Sequence, residues 1–171
     1  MVDLSVDLAG VTLSSCVYNA SGPRSGSAEA LHKVAMSKAG AVLTKSATLQ
    51  PQDGNPHPRI HHEEYFSFNS EGLPNKGIDY YIAKSTISDV MNGVSKPYIV
   101  SLSGKTTSDN LEMLKKLVGN EKISSIELNF ACPNVIGKPI IGYHAFQVKE
   151  ILLQVGRFYN DCAKSNAYLA P

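Results

Sequence analysis

Short apolar segments of strand length alternate with longer amphipathic segments along most of this chain of 171 residues. The segments predicted as strands are residues 17–20, 41–44, 98–102 and 125–130. The predicted helices span residues 27–40, 78–90, 109–118 and 144–159. Because a strand–helix–strand repeat builds a parallel sheet with right-handed crossovers, the alternation predicts an α/β fold. The pattern alone leaves open whether the sheet is doubly wound or closed into an eight-stranded barrel.

Further features frame this repeat. Residues 4–8 and 11–13 flank Ala9-Gly10 and predict an N-terminal β-hairpin. A long polar loop rich in Pro and Gly is expected after residues 41–44, and residues 167–169 are expected to begin a fifth strand. No linker interrupts the chain, so one domain over residues 1–171, without a second domain, is predicted. Polar segments follow the strands, where both α/β architectures place their sites.

The composition excludes several classes of protein. The formal net charge is +1 with Lys and Arg scattered, which argues against binding to nucleic acid. No apolar run approaches the roughly 18–20 residues that a membrane span needs, so no membrane association is expected. The N-terminus lacks the pattern of a secretory or mitochondrial leader. A cytoplasmic protein is therefore predicted.

Neither the cysteines nor the histidines indicate a metal site. Three cysteines without short spacing, typical of reduced thiols, are Cys16, Cys132 and Cys162. His57 and His61 have the spacing of a helical metal pair, but Pro56 and Pro58 prevent a helix there. We expect no disulfide and no bound metal.

Two segments that follow strands carry groups for ligand binding. Lys45 comes directly after a buried strand and is either a solvated side chain or a cation that stabilises negative charge on a ligand. Residues 67–77 contain two asparagines, two glycines and a proline. They make simple turns, or they present amides and backbone N–H groups to a planar polar ligand.

A third segment, residues 127–139, places Cys132 between Asn129 and Asn134 just beyond a strand. Its thiol is either a small buried apolar group or a catalytic base. No nearby His–Asp pair or second cysteine indicates a protease or a thioredoxin-like mechanism, and the glycine patterns of dinucleotide and P-loop sites are missing. We expect Cys132 to be partly accessible, unlike Cys16.

Together these segments resemble class 1A, fumarate-type, dihydroorotate dehydrogenases. The matching motifs are N-A-S-G at 19–22, T-K-S at 44–46, G-N-P-H-P-R at 54–59, N-S-E-G-L-P-N at 69–75 and E-L-N-F-A-C-P-N-V-I-G-K-P at 127–139. The resemblance implies the first four βα units of a TIM (β/α)8 barrel, a half barrel preceded by a β-hairpin. It also implies an FMN-dependent homodimer of pyrimidine biosynthesis, which oxidises dihydroorotate to orotate with fumarate as acceptor.

The same resemblance implies a role for each site residue. Cys132 would be the base that removes a proton from dihydroorotate. The substrate would contact Lys45, Asn69, Gly72, Leu73, Asn129 and Asn134. The flavin would contact Ala20, Ser21, Gly22, Lys45, Ser46 and Asn129.

This chain departs from the family pattern at several places. Glu71 replaces a methionine beside the expected anionic substrate, and Ala131 replaces a serine. Residues 166–171 lack the lysine of the family's fifth strand, and the phosphate-binding loops lie outside the chain. Three alternatives therefore stay open: a dihydroorotate dehydrogenase seen in part, a truncated inactive paralogue that acts as a binding protein, or a flavin enzyme acting on another pyrimidine. We expect that the 171-residue chain alone neither retains FMN nor turns over.

Overall fold

The computed structural model describes residues 2–132, 140–165 and 167–171. Its strands are β1 (Val6–Leu8), β2 (Val11–Leu13), β3 (Val42–Leu43), β4 (Ile60–His62), β5 (Ser67–Asn69), β6 (Tyr98–Leu102) and β7 (Ser125–Leu128). Its α-helices are α1 (Ala28–Ala35), α2 (Ile78–Ile82), α3 (Lys84–Val90), α4 (Thr107–Leu117) and α5 (Ala145–Lys164). Strands β1 and β2 pair antiparallel, which confirms the predicted N-terminal hairpin.

The central sheet has the strand order β3-β6-β7, and both pairs are parallel. Val42 pairs with Tyr98, and Ile99 pairs with Ser125. This pairing confirms the α/β fold with a parallel sheet. The middle strand β6 is buried along its whole length, as expected for a strand covered on both faces.

Helices pack against this sheet through apolar stripes. Leu31 of α1, Tyr81 of α2, and Met113 and Leu114 of α4 belong to the buried core around β6. Ser27 caps α1, since its side chain accepts a hydrogen bond from the Ala30 N–H at 3.2 Å, and this confirms the predicted helix start. No helix in the described ranges is long and apolar enough to cross a bilayer.

Several predicted elements differ from the structure. Residues 17–20 form no strand, because the Asn19 side chain rather than a backbone ladder meets β3. Residues 167–169 form no strand, although Ile126 N donates to the Pro171 carbonyl at 2.6 Å and so ties this segment to β7. The expected polar loop after β3 contains an antiparallel hairpin, β4–β5.

The predicted helix over residues 78–90 is two helices, α2 and α3, which meet at an extended Ala83 with ψ 134°. The break frees carbonyl groups at the end of α2, and two distant side chains satisfy them. Tyr98 Oη donates to the Tyr81 carbonyl at 2.9 Å, and Asn120 Nδ2 donates to the Ile82 carbonyl at 3.4 Å. Since both donors come from elsewhere in the chain, local periodicity does not reveal the break.

Candidate functional site

A cavity of about 460 Å³ lies at the carboxyl-terminal ends of β3 and β7. Its lining brings together residues from the three segments singled out in the sequence and from residues 20–22, which lie between β2 and α1. The lining residues are Ala20, Ser21, Gly22, Lys45, Ser46, Leu73, Glu127, Leu128, Asn129, Phe130, Ala131 and Cys132. A cavity of this size at the end of a parallel sheet is typical of a small-molecule site.

Lys45 is the cation of this cavity and is only 6% exposed. Burial lowers the pKa of its ammonium group, while the nearby charges of Cys132 and Glu71 oppose that shift. Within residues 2–132, 140–165 and 167–171, no carboxylate lies within ion-pair distance of Lys45. A poorly solvated cation without a carboxylate partner favours an anionic or electron-rich ligand.

The Cys132 thiol also lines the cavity and is partly exposed. Cys162 is buried on α5. Cys16 is exposed beyond the first hairpin, so the expectation that it would be sealed is wrong. Apolar character alone did not reveal that Cys16 follows β2 at the surface rather than entering the core.

Asn129 is held in one orientation at the cavity wall. The Ala131 N–H donates to Asn129 Oδ1 at 2.9 Å, and Asn129 Nδ2 donates to Ser46 Oγ at 2.8 Å. Because a backbone N–H can only donate, the first contact distinguishes the oxygen of the amide from its nitrogen. Among the described residues, the second N–H of Asn129 has no partner and is left for a ligand.

Two polar residues beside Asn129 were not found from the sequence. Glu127 lines the cavity, and the Ser101 hydroxyl donates to Glu127 Oε1 at 2.6 Å. Ser46 Oγ lies 2.9 Å from Ser101 Oγ and 3.0 Å from Ser21 Oγ. The available signal was spacing, since Glu127 precedes Asn129 by two residues and side chains two apart on a strand share a face.

The loop over residues 69–75 has two functions in the structure. Leu73 reaches the cavity, whereas Gly72 is buried beneath it and its carbonyl accepts from Gln52 Nε2 at 2.6 Å. Gly72 has φ 71°, and a Cβ there would lie 2.4 Å from the Asn55 nitrogen, so glycine is required. Asn75 is buried and binds the main chain of Thr48 and Gly77, so it holds the loop in place.

The structure does not place every predicted substrate residue at the cavity. Asn69 is exposed at the end of the β4–β5 hairpin and does not line the cavity. Asn134 lies outside the described residues. Ala20, Ser21, Gly22, Lys45, Ser46, Leu73, Asn129 and Cys132 do meet in one place.

The residues present fit an isoalloxazine ring in two respects. The buried cation of Lys45 suits a ring that gains negative charge, and the fixed amide of Asn129 suits its polar edge. No group of three or more metal-ligating side chains occurs in the part of the chain that the structure describes.

A parallel α/β sheet with a cation, an oriented amide and a thiol at its carboxyl end defines an enzyme-like site for a planar polar ligand. The family model described as dihydroorotate dehydrogenase matches residues 3–162. The chain belongs to the dihydroorotate dehydrogenase family.

Individual relatives agree with this assignment. The dihydroorotate dehydrogenases (fumarate) of Lachancea kluyveri and Trypanosoma brucei brucei are each 37% identical, over 91% and 92% of this chain and 50% of their own length. The dihydroorotate dehydrogenase A (fumarate) of Lactococcus lactis subsp. cremoris is 36% identical over 91% of this chain. The chain thus spans about half the length of the curated relatives it matches.

A solved structure has a similar fold. The ligand-free DHODH from Eimeria tenella superimposes with a TM-score of 0.62 over 79% of this chain and 40% of its own, at 24% identity. At that identity the likeness concerns the fold alone.

Proposed function

We propose that this chain supplies the N-terminal half of the site of an FMN-dependent dihydroorotate dehydrogenase, which oxidises dihydroorotate to orotate with fumarate as acceptor in pyrimidine biosynthesis. The observation that carries the proposal is the meeting of Lys45, Asn129 and Cys132 in one cavity. Dehydrogenation of a ring carbon pair needs a base, donors that hold the ring, and a hydride acceptor. The chain provides the first two.

Each residue has a distinct task in this reaction. Cys132, as the base, takes the proton from C5 of dihydroorotate while the hydride leaves C6. The free N–H of Asn129 donates to the pyrimidine ring, and Lys45 stabilises negative charge nearby. FMN, when bound, would supply the hydride acceptor, and fumarate would be the final electron acceptor. Ala20, Ser21, Gly22 and Ser46 would border the flavin ring.

The architecture proposed for the whole is a (β/α)8 barrel of which this chain forms the first four units. The parallel order β3-β6-β7 and the segment 167–171 beside β7 are consistent with strands added in sequence around a barrel. No glycine-rich phosphate loop lines the cavity among the described residues. We therefore expect FMN to bind the isolated chain weakly. A homodimer and a cytosolic location stay predictions from the resemblance.

Complementation tests this function directly. The chain is fused to the C-terminal half of the Lactococcus lactis relative, and orotate formation from dihydroorotate is measured with FMN and fumarate. We expect turnover that is lost in Cys132→Ala and kept in the matched control Cys16→Ala. A fusion that folds and binds FMN but forms no orotate, while the relative's own two halves are active when joined in the same way, would overturn the proposal.

A second candidate, a flavin enzyme acting on another pyrimidine, is favoured by Glu71. This carboxylate is partly buried and acts electrostatically on Lys45, so it opposes an anionic ligand near that cation. The same fusion separates the two functions by its substrate. Oxidation of neutral dihydrouracil in preference to dihydroorotate would support the second candidate.

A further inference from the structure

Four polar side chains form a connected chain that runs from the cavity into the sheet. Asn129 Nδ2 donates to Ser46 Oγ at 2.8 Å, Ser46 Oγ lies 2.9 Å from Ser101 Oγ, and Ser101 donates to Glu127 Oε1 at 2.6 Å. Ser101 lies on β6 and is 0% exposed, whereas Glu127 lies on the adjacent strand β7. The predicted ligand-binding amide is therefore linked to a carboxylate through two hydroxyl groups.

The number of hydroxyl protons limits how this series of hydrogen bonds can be arranged. Ser46 Oγ also lies 3.0 Å from Ser21 Oγ, to which it can donate instead. Each serine hydroxyl has one proton. Ser46 and Ser101 thus have two protons between them for three contacts, those with Ser21, with each other and with Glu127.

The short contact with the carboxylate determines which arrangement is favoured. Ser101 donates to Glu127 Oε1 in the shortest contact of the series, 2.6 Å, so the Ser101 proton stays with Glu127. Only the Ser46 proton can then bridge Ser46 and Ser101. Every donor in the series consequently points toward Glu127, and hydrogen bonds aligned in this way strengthen one another.

We propose that Glu127 is a positioning residue that acts through Ser101 and Ser46 to hold the Asn129 amide for its ligand. Without Glu127 the Ser46 proton is free to turn to Ser21, and Ser46 becomes a weaker acceptor for Asn129. The identity of the ligand rests on the proposed function, but the effect on Asn129 exists in the ligand-free protein. Ser101 is fully buried and does not line the cavity. Its variants therefore report only on the hydrogen-bond relay that links Asn129, through Ser46 and Ser101, to Glu127.

The test uses the whole 171-residue chain with Ser101→Ala, Glu127→Gln and the double variant. Glu121→Gln is the matched control, because Glu121 is exposed and precedes β7. In ligand-free protein, the hydrogen-bonded Nδ2 proton of Asn129 is followed by NMR and assigned by its loss in Asn129→Asp. We expect it to move upfield to a similar extent in all three relay variants and not in the control.

Orotate affinity, measured by calorimetry, gives the second readout. Ser101→Ala, which removes no charge from the cavity, should weaken binding by about three- to tenfold, the range expected for one hydrogen bond. The double variant should be no weaker than Ser101→Ala alone, since both substitutions interrupt one chain. Two independent effects on the binding site would instead add.

The outcomes are separable. An unchanged Asn129 resonance in Ser101→Ala, or additive losses of affinity in the double variant, would overturn the positioning role of Glu127. If the wild-type chain does not bind orotate, affinity is measured on the fusion with the C-terminal half of the Lactococcus lactis relative, and the Asn129 resonance still decides the role of Glu127. Should Ser101→Ala not fold, Glu127→Gln alone decides it by the same resonance, because that variant keeps the buried hydroxyl.

Discussion

The side-chain amide of Asn19 forms two hydrogen bonds with the main chain of Leu43, 24 residues further along the chain. Its Nδ2 donates to the Leu43 carbonyl at 2.7 Å, and its Oδ1 accepts from the Leu43 N–H at 2.9 Å. Asn19 thus satisfies the edge of β3 where a neighbouring strand would otherwise pair. The contact also holds residues 20–22 beside Lys45 and Ser46 in the cavity wall.

Replacing Asn19 should therefore destabilise the fold. Asn19→Ala leaves both backbone groups of Leu43 without these partners, and we expect a loss of about 2–3 kcal/mol in the free energy of unfolding. Urea denaturation measures the change. Asn92→Ala, at an exposed position, should have almost no effect. Equal stability of the two variants would show that the Asn19 contact contributes little.

Two asparagines of the loop over residues 69–75 should contribute unequally to the stability of the protein. Asn75 Nδ2 donates to the Leu73 carbonyl and to Thr48 Oγ1, each at 2.9 Å. Asn75→Asp places a carboxylate against these acceptors, and we expect a loss of about 2 kcal/mol or more in stability. Asn69→Asp, which alters an exposed residue, should lower the thermal midpoint much less. A similar midpoint for both variants would contradict this division of roles.

Lys45 should reduce the stability of the protein near neutral pH. Burial lowers the pKa of Lys45 below its usual 10.5, so the native state disfavours the charged form. The unfolded chain binds more protons between the lowered pKa and 10.5, and stability therefore rises with pH across that window. Below the lowered pKa, burial of the charged lysine destabilises the native state by its full amount.

Lys45→Met lacks this penalty. We expect the variant to unfold at higher temperature than wild type at pH 7, with a difference that shrinks as the pH approaches 10.5. Lys33→Met, at an exposed position of α1, provides the control and should show no such trend. A Lys45→Met variant that is less stable than wild type at pH 7 would contradict the prediction. Orotate binding should be lost in Lys45→Met.

The three cysteines should differ in reactivity. In a Cys16→Ser background, iodoacetamide should modify the partly exposed Cys132 before Cys162, which is 8% exposed. Orotate should slow the modification of Cys132 only, because only this thiol lines the cavity. Peptide mass spectrometry over time follows each site. Modification of Cys162 first, or no protection by orotate, would remove the support for Cys132 as the base.

Glu71 should weaken the binding of an anionic ligand. Its charge acts on Lys45, so Glu71→Met should tighten orotate binding by about three- to tenfold at low salt, as expected for removal of one partly screened repulsion. The gain should shrink as added salt screens the charges. Glu64→Gln, an exposed substitution, is the control. Weaker orotate binding in Glu71→Met would instead indicate that Glu71 contacts the ligand.

The sequence alone predicted the parallel α/β fold and much of the cavity lining. Strand and helix periods differ, so alternating segments can be recognised locally, and the capping of α1 by Ser27 follows from its residue type. Since parallel strands end at the same edge of a sheet, residues that follow β3 and β7 were expected together. Lys45, Asn129 and Cys132 meet for this reason.

Only the tertiary structure decided the features that depend on distant partners. The replacement of a strand by Asn19, the break at Ala83 and the link from Asn129 to Glu127 all involve hydrogen bonds between residues far apart in sequence. Asn69 lies outside the cavity because the chain pairs as a β4–β5 hairpin instead of a loop. The sequence determined which local elements form, whereas long-range packing determined which polar groups found each other, because a buried donor or acceptor takes whichever partner the fold places within reach.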